Sequence, residues 1–77
     1  MHIDCDVLLD ATLDDCPVPV IKTKEMLDKM DALTVLQVVT SKEGTISNLR
    51  TFVKNYPCEL VREIKTKERF YFYIKKL

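Results

Sequence analysis

The chain begins with a two-residue rhythm. Ile3, Cys5, Val7 and Leu9 alternate with His2, Asp4, Asp6 and Leu8, the period of a half-buried strand, predicted over residues 3 to 9. Cys5 shares parity with the apolar set and is expected in the core as a small hydrophobe. Asp10 follows as a turn residue that hydrogen-bonds nearby amides and orders the next loop. From residue 17 to about 30 the rhythm lengthens: Val20, Thr23, Leu27 and Met30 recur at helical steps with Met26 beside them, the stripe of an amphipathic helix. Residues 34 to 40 are apolar on both parities, as a central strand requires. A second helix is expected to start at Gly44 or Thr45 with Ile46, Leu49, Phe52 and Val53 inward. Asn55 should end it in the left-handed conformation before Pro57. Residues 58 to 66 and 69 to 76 form two strand patterns separated by Lys67 and Glu68, hence a hairpin. In the last strand Phe70, Phe72 and Ile74 share one face, and Tyr71 and Tyr73 stand on the other.

The order is therefore βαβαββ. Parallel βαβ crossovers are right-handed almost without exception, which places both helices on one side of the sheet. The expected fold is a two-layer α/β sandwich: a mixed four-stranded sheet, two helices on one face, the other face open. Residues 1–77 read as a single domain.

Composition narrows the function classes. A domain of 77 residues buries only ~60% of the surface its unfolded chain exposes, leaving little room for an enclosed substrate cavity. No apolar run approaches the roughly 18 residues that span a bilayer, and no basic-then-apolar leader pattern opens the chain, so no membrane partner and a cytoplasmic setting are the default expectation. Cys5, Cys16 and Cys58 have no Cys-x-x-Cys spacing, and His2 is the only histidine; no metal site and no cofactor are expected. The zero net charge conceals an asymmetry: eight acidic against three basic residues up to position 31, four against nine beyond it. Such a surface can orient a charged partner. The basic residues are nevertheless scattered, which argues against direct nucleic-acid binding.

The most constrained stretch is Asp14-Asp15-Cys16-Pro17-Val18-Pro19-Val20, between the first strand and the first helix. Proline suits the first helical turn, where amides have no partner inside the helix. With Cys16 as cap, Pro17 is N1 and Pro19 is N3. A thiol in that place meets unpaired amides and the positive end of the helix dipole, both of which favour thiolate. Asp14 and Asp15 act in the opposite sense. Lys22 and Lys24 lie within two turns of the thiol; they are solvated helix charges that could also meet an acidic partner or a phosphate.

Leu9-Asp10-Ala11, four further residues and then Cys16-Pro17-Val18-Pro19 resembles the signature of the TusA-like, or SirA-like, sulfur-carrier family, whose hallmark is a Cys-Pro-x-Pro box after a Leu-Asp pair. The resemblance extends over nearly the whole chain, including the aromatic, lysine-ended last strand. It departs from the family at Leu13, where a glycine is usual, and at Asp14 and Asp15, where a basic residue is frequent. The resemblance implies the same sandwich fold, also seen in the C-terminal domain of translation initiation factor three. It further implies a persulfide carried on Cys16, with Asp10, Pro17 and Pro19 as motif and positioning residues. The implied partners are a cysteine desulfurase or rhodanese-type donor and a downstream sulfur-acceptor protein.

The residues agree with a carrier more than with an independent catalyst. No histidine neighbours the nucleophile in sequence, there is no glycine-rich phosphate loop, and adjacent carboxylates in a loop point apart. A lone activated thiol can accept and pass a sulfur by exchange, which needs access and a lowered pKa but no deep pocket. Two other readings stay open. One is an interaction module using the open sheet face with Tyr71 and Tyr73. The other is a redox sensor in which Cys16 pairs with Cys58 or another protein.

Overall fold

The computed structural model describes residues 5–15 and 17–77. Its elements run β1 (Val7–Asp10), α1 (Val18–Lys29), β2 (Val35–Thr40), α2 (Glu43–Asn55), β3 (Cys58–Lys65) and β4 (Phe70–Lys76). The sheet order is β1-β2-β4-β3. β1 and β2 are parallel, and β4 runs antiparallel to both β2 and β3. The two inner strands carry the apolar load: Leu36 and Val38 of β2 and Phe70, Phe72 and Ile74 of β4 form one cluster with Leu27 of α1 and Leu49 of α2. All seven are buried, each large side chain contributing about 1.5–3 kcal/mol by leaving water. The expected sandwich is therefore present, with both helices on the phenylalanine face. Tyr71 and Tyr73 pair with Val39 and Gln37 on the opposite face, and both are half-buried there.

The structure differs from the sequence expectations at five places. β1 is four residues long. At Asp6 the amide donates to the Val35 carbonyl, but the Asp6 carboxylate takes the Val35 amide (both 2.9 Å). A side chain thus replaces the backbone at the ladder's end, which stops the pairing there. Cys5 consequently falls outside the strand and is exposed, with its Sγ 3.5 Å from Gln37 Oε1, rather than buried against the helices. Ile3 lies outside the described residues. α1 has Pro17 as its N-cap and Pro19 within its first two positions, so the expected numbering shifts by one and Cys16 is not the cap. α2 starts at Glu43. It ends into an extended Tyr56 (φ −117°) rather than through a left-handed Asn55; among the described non-glycine residues the left-handed one is Leu33 (φ 70°), in the turn from α1 to β2. β3 contains a bulge between Leu60 and Arg62. The extra residue inverts parity, so Glu63 pairs with Phe72 on the helix side and reaches Arg50 of α2 in an ion pair.

No helix among the described residues is long and apolar enough to cross a membrane.

Candidate functional site

β1 and β2 run parallel and each feeds a helix, so both helix N-termini emerge at the same edge of the sheet, the edge where open α/β sheets place their functional loops. The connection from β1 to α1 is pinned at its start. The amide of buried Ala11 donates to the Val39 carbonyl (2.8 Å). Asp10 Oδ1 accepts from both the amide (3.0 Å) and the hydroxyl (2.7 Å) of Thr12, the turn role expected of it. These two bonds hold the Asp10 carboxyl below its ordinary value, the hydroxyl contributing most. Ser41 Oγ donates to the Thr12 carbonyl (2.7 Å), so the loop before α2 is tied to the loop before α1.

The two aspartates preceding Cys16 are not idle solvated charges. Asp14 Oδ2 lies 2.8 Å from Lys22 Nζ on α1, and Asp15 Oδ1 lies 3.6 Å from Lys42 Nζ at the N-cap of α2. The acidic pair that distinguishes this loop is thus matched charge for charge by two lysines from two different elements. Lys24, the other candidate partner contact, is paired with Asp28 one turn on (2.9 Å). Such exposed pairs are weak, too weak to resist a docking partner. The Asp14–Lys22 pairing had a faint sequence signal, eight residues apart across a loop and one helical turn. The Asp15–Lys42 pairing had none.

The first-turn amides of α1 are also committed. Val18 N–H donates to the Asp15 carbonyl (2.9 Å), Val20 and Ile21 both donate to the Pro17 carbonyl (3.1 Å), and Pro19 has no N–H. The expected row of free amides is not available, which leaves the helix dipole as the favourable term for a nearby anion. The two prolines differ in kind: Pro17 is exposed, whereas Pro19 is fully buried under the first turn. Cys16 itself lies outside the described residues.

The other two thiols are well placed for comparison. Cys58 is buried in the main core cluster, and loss of hydration pushes its pKa up, against thiolate formation. Cys5 is exposed beside the open sheet face, remote in the topology from the two helix N-termini. Grooves of about 410 and about 350 Å3 lie elsewhere: one at the α2–β3 side, between Arg50, Glu63 and Phe70, the other between Met26, Met30 and Asp6. Neither is lined by a described residue of the β1–α1 loop.

This arrangement, an open loop site on a small α/β sandwich, has known counterparts. The model of the family described as sulfurtransferase TusA matches residues 7–76. The chain belongs to the TusA family. Among curated relatives, a candidate sulfur carrier of Methanocaldococcus jannaschii is 38% identical over 68 residues, covering 88% of this chain and 91% of that one. The sulfur carrier protein TusA of Allochromatium vinosum is 33% identical over 73 residues, covering 95% and 96%. A crystal structure of a SirA-like protein from Desulfitobacterium hafniense superposes with a TM-score of 0.70 at 25% identity, covering 90% of this chain and 95% of that one. The match to TusA proteins spans every strand and both helices.

Proposed function

We propose that this TusA-family protein is a sulfur carrier that accepts persulfide sulfur on Cys16 and hands it to an acceptor protein. The match over residues 7–76 to a family with a sulfur carrier among its relatives is the observation that carries the reading. The placement of the other thiols supports the choice of Cys16, since burial disfavours the Cys58 thiolate and Cys5 stands apart from the helix N-termini. In the loading step the Cys16 thiolate attacks the outer sulfur of a donor persulfide. The donor's S–S bond breaks, the donor cysteine leaves as thiolate, and Cys16 holds S–S–H with the proton still on the outer sulfur. The exchange is redox-neutral and needs no cofactor. Asp10 orders the loop, and Pro17 and Pro19 fix how the chain enters α1. The proposed donor is a cysteine desulfurase or a rhodanese-type protein, and the proposed setting is cytoplasmic.

Incubation with a purified cysteine desulfurase and cysteine should add one sulfur, roughly 32 Da, to the peptide containing Cys16. Cys16→Ser should abolish the adduct and onward transfer while the protein stays folded. An adduct that survives in Cys16→Ser, or a wild type that acquires none from any donor, refutes the assignment.

A further inference from the structure

The open face of the sheet takes no part in the function described above. Both helices pack on the other side, and no element among the described residues lies on this one. The register fixes which residues form it. Val7 and Leu9 pack against the core, so Asp6, Leu8 and Asp10, alternating with them, face outward. Leu8 is aligned through Gln37 with Tyr73 and Arg62, and Asp10 through Val39 with Tyr71 and Ile64. The bulge in β3 adds one more side chain, because Val61 and Arg62 both oppose Tyr73. Leu8 is 61% exposed and Val61 44%, at the two ends of one row across the sheet. Half-buried Tyr71 and Tyr73 lie between them.

The charges on this face are sorted by edge. β1 comes from the part of the chain with eight acidic against three basic residues, and β3 from the part with four against nine. The strand order β1-β2-β4-β3 sets these two strands at opposite edges. Asp6 and Asp10 flank Leu8 at one edge. Arg62 stands beside Val61 at the other, exposed and without an ion pair among the described residues. Glu59 and Lys75, opposite each other in register, offset one another. A face that is acidic at one edge, basic at the other and apolar between is complementary to itself after a half-turn.

We infer that the open face binds a second copy of this chain about a two-fold axis running along the strands. That axis lays β1 of each copy over β3 of the other. Leu8 then meets Val61, Gln37 meets Tyr73, and Arg62 reaches Asp6 and Asp10 of the other copy. A two-fold axis across the strands would instead set β1 on β1, with the carboxylates against each other, which like-charge repulsion disfavours. The domain is a slab of 30 × 29 × 18 Å, and a broad side of that size can supply the ~800 Å2 per partner of a standard interface. Because the axis preserves strand direction, the two β1–α1 loops emerge at the same end of the pair. Pairing of this kind does not depend on sulfur chemistry at Cys16.

Sedimentation equilibrium of the full chain tests the pairing. Wild type should move toward twice the monomer mass as its concentration rises to about 1 mM. Arg62→Glu and Leu8→Asp, both at exposed positions, should keep the wild-type circular dichroism and weaken association by about tenfold or more. Arg62→Lys should hold it within about threefold of wild type, and raising salt from about 50 to about 300 mM should weaken it several-fold. Crosslinking reads the orientation. In a Cys5→Ser, Cys16→Ser background, Leu8→Cys chains mixed with Val61→Cys chains and a short bismaleimide should join to each other and not to their own kind. Wild type that stays monomeric at about 1 mM overturns the pairing and leaves the face to a different protein. Association that both Arg62→Glu and Leu8→Asp leave unchanged belongs to another surface and overturns it equally. Crosslinks formed mainly between two Leu8→Cys chains overturn the axis.

Discussion

The two prolines after Cys16 are equivalent in the sequence motif and unequal in the fold, and their replacement by alanine measures the difference. Pro19 is fully buried within the first turn of α1. Pro19→Ala removes two ring carbons from the core, about 0.8 kcal/mol each by transfer, or ~1.6 kcal/mol together. The unfolded chain gains freedom as well, adding about 0.4–1 kcal/mol. The Pro19 carbonyl, which accepts the Thr23 hydroxyl at 2.7 Å, is retained, so no hydrogen bond enters the sum. The expected loss is about 2–2.5 kcal/mol. Pro17 is exposed, and its carbonyl, the acceptor for Val20 and Ile21, also survives substitution. Pro17→Ala therefore forfeits only the unfolded-state contribution, below about 1 kcal/mol. Urea and thermal denaturation followed by far-ultraviolet circular dichroism resolve such a gap. At about 4–8 °C per kcal/mol for a domain of this size, Pro19→Ala should melt about 8–20 °C below wild type and Pro17→Ala less than about 8 °C below it. Equal losses, or a larger loss at Pro17, would falsify the placement of Pro19 in the core.

Two further measurements probe the interior. Thr45 Oγ1 in the first turn of α2 is buried and has no hydrogen-bond partner among the described residues. Thr45→Val removes that unsatisfied hydroxyl at nearly constant shape and should raise stability by about 1 kcal/mol in urea titrations; a loss of similar size would mean the hydroxyl has a partner. In the Cys16→Ser background, native-state alkylation should label Cys5 quickly and Cys58 only on the timescale of unfolding, because one is exposed and the other sits in the core with its thiolate disfavoured. Comparable rates at the two positions contradict the observed end of β1 at Asp6.

Much of this architecture was determined by the sequence alone. Period two in residues 69–76 assigned Phe70, Phe72 and Ile74 to the core and Tyr71 and Tyr73 to the open face, as the register with β2 has them. The two-sided apolar character of residues 34–40 marked an inner strand, and β2 is one. These properties are local, since side-chain alternation follows from backbone geometry and survives any tertiary detail. Where β1 begins was different. Cys5 has the right parity, yet an edge strand extends only as far as its single neighbour pairs with it, and the Asp6 carboxylate takes the next amide. The bulge after Leu60 likewise arises from how β3 meets β4, and it alone turns Glu63 toward Arg50. At the candidate site the residues proposed to carry the chemistry stand in the sequence as a run of neighbours. Their electrostatics were not legible there, because Lys42 reaches Asp15 across 27 residues, through the parallel pairing that sets both helix N-termini at one edge. Sequence periodicity reports which side of its own element a residue occupies; only packing decides which charges from distant elements meet, because that depends on where the elements themselves come to rest.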